Sequence, residues 1–197
     1  MTENNHALNI VTNNTIDFTS KKLTGNIDIK ITSGISLDLK HEYSNKEEIF
    51  YSAVLAPDIV APWMKDSEQL WDLIQNKFDI KKGTGFCKII ELALPNELTN
   101  EQNVELLKEF ILAALSKNGV IVDANMYIDN FNKSHALLIL STREIVLDYK
   151  EGDYTFGKKI RGLDSIKFCT NTSNIWSDLL NQYLAHHERN LNVSYSS

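Results

Sequence analysis

"VIVDANMYIDNFNKSHALLILSTREIVLDY", residues 120 to 149, consists of two apolar runs joined by four residues with turn chemistry. Both runs are rich in β-branched and aromatic residues, so each reads as a strand, and "NFNK" between them predicts an antiparallel hairpin. A strand sends alternate side chains to opposite faces. In 120 to 129, Val120, Val122, Ala124, Met126 and Ile128 therefore share one side, and Asp123, Asn125, Tyr127 and Asp129 the other. In the run from 134 to 149, Ala136, Leu138 and Leu140 oppose His135, Leu137, Ile139, Ser141 and Arg143.

Further elements extend this hairpin on both sides. "CKIIELALP", residues 87 to 95, reads as a strand closed by Pro95, in which Ile89, Glu91 and Ala93 alternate with Ile90, Leu92 and Leu94. A helix follows with Thr99 as cap and Gln102 in the reciprocal position; Val104, Leu107, Ile111, Ala114 and Leu115 form its apolar face, and Gly119 stops it. Upstream, Asp66 and Gln69 mark the start of another helix with the stripe Leu70, Trp71, Leu73, Ile74 and Phe78, broken by "KKGTG". "NIDIKITSGISLDL" and "IFYSAVLAP" read as earlier strands, and 173 to 188 as a final helix with Ile175, Trp176, Leu179, Leu180, Tyr183 and Leu184 inward. This order of elements predicts one α+β domain, an antiparallel sheet with helices packed on one face.

One strand face then gathers Glu91, Asp123, Asn125, Tyr127 and His135. A desolvated, unpaired carboxylate costs several kcal/mol, so Glu91 must meet a partner or water. Two readings of this face stay open: a shallow polar site, and a sheet face that is simply wet. A lone histidine makes a poor metal site, because divalent ions usually take three or four protein ligands.

Composition narrows the function classes. A chain of 197 residues, 43% hydrophobic, can bury a proper core. No stretch suits a membrane span, the N-terminus lacks the features of a secretory signal, and two cysteines make no disulfide framework, so a cytoplasmic location is expected. A net charge of −6 excludes indiscriminate attraction to polyanions. Nucleic-acid binding would need a local patch, and Lys158, Lys159 and Arg161 in "FGKKIRG", with Arg143, are its candidates; a solvated turn is the plainer reading of that cluster.

Several blocks, taken in order, resemble the MobA/MobL relaxases, the nicking domain of TraA-type conjugal transfer proteins. "HEYSNKEEIFYSAVLAP" is similar to that family's Tyr-Ser-Arg-Lys segment, and "APWMKDSEQLWDLIQ" to its Pro-Glu-Trp…Leu-Trp-Asn helix. "KIIELALPNELTNEQNVELLKEF" resembles its Glu-Ile-Glu…Ala-Leu-Pro…Glu-Leu block, and "SHALLILSTREI" its His-x-His strand ending Thr-Thr-Arg. "FGKKIRGLDS" and "LNVSYSS" complete the series. The resemblance covers residues 43 to 197 and leaves residues 1 to 42 as divergent N-terminal strands. It implies a histidine-hydrophobic-histidine (HUH) endonuclease palm with flanking helices. It also implies a divalent ion, Mg or Mn, held by three histidines, and a tyrosine that attacks the scissile phosphate of transfer-origin DNA. Transfer-origin single strands and other conjugation proteins would be its partners.

The chain departs from the family pattern where the chemistry lies. His135 matches the first histidine of the pair, but Leu137 stands at the second position, and the third histidine falls near Tyr127. Of the family's paired glutamates only Glu91 remains, with Ile89 at the other position. No nucleophilic tyrosine is identified, since none precedes Tyr43, and Tyr43 and Tyr51 belong to later blocks. Three readings follow: a catalytically impaired relaxase-type domain, a single-stranded-DNA-binding remnant of a mobile element, and an active nuclease using Asp123, Asp129, Glu91 and His135 as replacement ligands.

Overall fold

The β-hairpin expected at residues 120 to 149 forms the middle of the sheet. The computed structural model describes residues 9–22, 25–38, 48–58, 60–77 and 87–194. In chain order the strands are β1 (Asn9–Lys22), β2 (Gly25–Asp38), β3 (Glu48–Leu55), β4 (Cys87–Ala93), β5 (Val122–Ile128), β6 (Ser134–Ser141), β7 (Arg143–Asp148) and β8 (Asp153–Lys159). The helices are α1 (Ser67–Lys77), α2 (Asn100–Phe110) and α3 (Ile166–Ser194). Six strands form one sheet in the order β1-β2-β4-β6-β5-β3, every neighbouring pair antiparallel. Phe78, the "KKGTG" break and Tyr43 lie outside the described residues.

Turn chemistry sets the hairpin. Asp129 Oδ1 accepts the backbone N–H of Phe131 and of Lys133, each at 2.9 Å. Asn132 sits at φ 58°, a left-handed conformation that asparagine tolerates. The second arm is shorter than expected. The chain leaves the sheet after Ser141, and β7 pairs with β8 in a separate two-stranded ribbon. Ser141 closes the end by donating its N–H to Ile121 O and accepting Ile121 N–H on its hydroxyl, both at 2.9 Å. The polar trio Ser141-Thr142-Arg143 inside an apolar run is therefore the mark of a corner.

Each sheet face carries its own core. On one, Ile29, Ile31, Ile90, Leu92, Ala124, Met126, Leu138 and Leu140 pack under α2 and α3. Phe110 of α2 meets Trp176 of α3 edge to face at 5.2 Å. Thr99 and Gln102 form the reciprocal cap expected at the start of α2. Beyond Phe110 that helix continues through a wide turn at Ile111–Leu115 and a tight one at Ser116–Asn118, and Gly119 ends it at φ 66°.

On the opposite face, Leu70, Trp71 and Ile74 of α1 join Met64, Ile89, Ile139 and Phe156 in a smaller core. Helices thus cover both faces, not one. A one-sided reading failed because the polar residues of β5 suggested water where α1 in fact docks. Asp66 caps α1 as expected, its Oδ1 accepting Gln69 N–H at 2.9 Å. The last helix begins before residue 173. The Ser165 hydroxyl accepts Phe168 N–H at 3.1 Å, and burial of Cys169, Thr172 and Ser173 overrides the poor helix propensity of 170 to 174.

Candidate nucleic-acid interface

Register places the polar residues on successive rungs of one face. One rung runs Lys30, Glu91, Leu137, Asn125, Ser52 across β2, β4, β6, β5 and β3. The next runs Ala93, His135, Tyr127, Ile49. On the other side of the first lies the rung Ile89, Ile139, Asp123, Val54, which the smaller core covers.

Glu91 finds its partner in Lys30, whose Nζ lies 3.5 Å from Oε1; both side chains stay more than 40% exposed. Such an exposed pair contributes little to stability. His135 Nε2 is hydrogen-bonded to Asp129 Oδ2 at 3.0 Å, and its ring stacks on Tyr127 with centroids 5.4 Å apart and planes 21° off parallel. Asp129 therefore does two jobs, one oxygen on the turn and one on the imidazole. The Lys133 backbone N–H chiefly, with His135 and Phe131 N–H, holds the Asp129 carboxyl below its ordinary value against a desolvation penalty.

Asp123 is not part of the open face. It is 1% exposed, beneath α1. Its Oδ2 accepts Ser67 Oγ–H and Trp71 Nε1–H, the latter at 2.9 Å, and its Oδ1 accepts Asn125 Nδ2–H at 3.0 Å. Asn125 in turn accepts Ser52 Oγ–H at 2.7 Å. Burial pushes the Asp123 carboxyl up, opposed by the hydrogen bonds from Ser67, Trp71 and Asn125. Strand alternation assigned its side correctly but carried no sign of the helix that seals it. One oxygen is committed to docking α1 and the other to Asn125, which removes Asp123 from any ligand set.

The basic candidates divide. Lys158 and Arg161 are exposed. Lys159 Nζ pairs with Asp164 Oδ2 at 2.8 Å, and the other Asp164 oxygen takes buried Lys88 at 3.1 Å. Arg143 donates to Gly157 O at 3.0 Å. These residues gather around the ribbon, at the far end of β6 from His135. The rise per residue puts His135 and Ser141 roughly 20 Å apart along the strand. The structure does not merge sheet face and basic cluster into one pocket.

Sequence reasoning grouped Asp129 with His135 as a ligand but did not foresee it as the hydrogen-bond partner, and it missed Lys30. Asp129 is legible afterwards as the first residue of an Asp-x-Phe-Asn-Lys turn, one strand step from His135. Lys30 had no signal, because pairing between β2 and β4 is non-local. Among the described residues, no three His, Cys, Asp or Glu side chains converge as a metal ion would need, and no helix is long and apolar enough to cross a membrane.

Comparison with known proteins agrees with this architecture. The model of the MobA/MobL family matches residues 35–197. The conjugal transfer protein TraA of Agrobacterium fabrum is 24% identical over 117 residues, 54% of this chain and 10% of that protein. TraA of Rhizobium radiobacter is 23% identical over 128 residues, 60% of this chain and 11% of its length. The chain thus spans about a tenth of the curated relatives it matches. A solved structure described as "Molecular Basis of Vancomycin Resistance Transfer in Staphylococcus aureus" superposes with a TM-score of 0.57 at 29% identity, covering 74% of each chain. With its antiparallel palm, its flanking helices and a match over most of its length, the chain belongs to the MobA/MobL family.

Proposed function

We propose that this domain binds single-stranded DNA of a conjugative transfer origin in the cytoplasm, alongside other conjugation proteins, and that it is impaired in nicking. Family membership and the TraA relatives support a place in conjugative DNA processing. The observation that carries the impaired reading is the state of His135. Its Nε2 is taken by Asp129, which leaves Nδ1 as its one ligating nitrogen, while Leu137 fills the neighbouring ligand position with a side chain that cannot ligate. The remaining acids do not complete a cation site: Glu91 faces Lys30, and Asp123 is sealed under α1. Among the described residues, those around His135 do not fit the divalent ion that the family implies.

Affinity would come from exposed Lys158 and Arg161 on phosphates and from the open sheet face on bases. The test is a labelled transfer-origin single strand incubated with the protein and Mn2+ and resolved by denaturing gel, with anisotropy read in parallel. We expect salt-sensitive binding without cleavage. Manganese-dependent cleavage that disappears in His135→Ala would overturn the impaired reading.

A further inference from the structure

The rung through His135 has a feature that neither a cation site nor a merely wet face requires. Tyr127 and His135 are direct cross-strand partners, their rings nearly parallel. Asp129 fixes the imidazole edge at Nε2, and the turn N–H groups of Phe131 and Lys133 fix Asp129. The ring is held by its edge and by one face. On the other side the rung continues to Ala93 of β4, whose methyl is too small to cover an imidazole, and the His135 side chain keeps 29% exposure. A rigid, partly exposed aromatic ring beside so small a neighbour suits a flat π ligand, and it loses little entropy when that ligand arrives.

Charge decides which part of a nucleic acid this surface accepts. Asp129 bonds His135 directly, and Glu91 stands one rung away beside Lys30. With exposed Lys133 two residues from His135, carboxylates and ammonium groups balance, so a phosphate finds no net attraction, whereas a neutral base needs none. The geometry points to a base-stacking subsite: one unpaired nucleobase lies on His135 over Ala93 and extends the Tyr127–His135 pair into a column of three rings. This rests on the single-strand reading above and deepens it, since the open face then recognises bases and not backbone.

The experiment compares a labelled oligothymidylate with an abasic deoxyribose-phosphate strand of equal length, by anisotropy at low salt, on folded wild type, Ala93→Leu, His135→Ala and His135→Phe. Leucine at 93 fills the slot without touching the stack. We expect Ala93→Leu and His135→Ala to weaken oligothymidylate binding about tenfold, the scale of one stacked base, and to leave abasic-strand binding unchanged. His135→Phe keeps the platform and binds as wild type. Oligothymidylate binding indifferent to Ala93→Leu and His135→Ala, or His135→Phe as weak as His135→Ala, would sink the subsite while leaving single-strand binding standing. Wild type that binds neither strand overturns both readings.

Discussion

Asp123 and Asp129 lie six positions apart and respond to pH in opposite senses. Burial raises the Asp123 carboxyl, so its contribution to stability is whole below the ordinary aspartate value and is lost as pH rises through the folded value. Asp129 is lowered, so its contribution is whole above the ordinary value and is lost as pH falls through the folded one. Asp123→Ala would orphan three donors and cost about 3 kcal/mol, as read by urea unfolding at neutral pH. Asp123→Asn keeps an acceptor for Ser67 and Trp71, and a flip of Asn125 with Ser52 accepting restores the rest, so it costs about 1 kcal/mol, less as pH rises. Asp129→Asn should flatten the acid limb of the stability curve while the limb near neutrality keeps its slope. An unchanged acid limb would mean that the turn does not draw on that carboxylate. Strand parity put Asp129 on the strand face and the turn at "NFNK"; local sequence held nothing about Ser67 or Trp71, which reach Asp123 from another element.

Among the elements, the ribbon of β7 and β8 explains the "FGKK" stretch. Phe156 is buried, edge to face with Trp63 at 6.0 Å, Lys159 turns to Asp164, and Lys158 stays in water. Gly157 is demanded by close approach: a Cβ there would stand 2.9 Å from Val146 Cγ1. Gly157→Ala is expected to cost about 1 kcal/mol in thermal or urea unfolding, with Gly157→Ala/Val146→Ala recovering part of the loss. The caps of α1 and α2 and the β5–β6 hairpin were legible because capping boxes and turn chemistry act within a few residues. The corner at Thr142 and the early start of α3 were not, since each depends on burial by distant partners, such as Phe110 against Trp176 and Ile160 N–H on Thr142 O.

At the scale of the molecule, a chain of net charge −6 carries the exposed pair Lys158 and Arg161 near one end of β6 and its aromatic rung at the other. If Lys158 and Arg161 each meet one phosphate, replacing both with alanine lowers the slope of log affinity against log salt by about 1.4. A slope that does not move would assign phosphate contact elsewhere. Fold class was readable from strand parity and the order of elements; the state of the site was readable only in part. The missing histidine partner at Leu137 is written in the chain, whereas the sealing of Asp123 and the tethering of His135 emerge only once the rungs align. The most direct test of whether this palm has ceased to be a cation centre is calorimetric titration of the purified protein with Mn2+. No saturable heat is expected for wild type and none for His135→Ala; saturable one-to-one binding lost on that substitution would show that the cation centre persists.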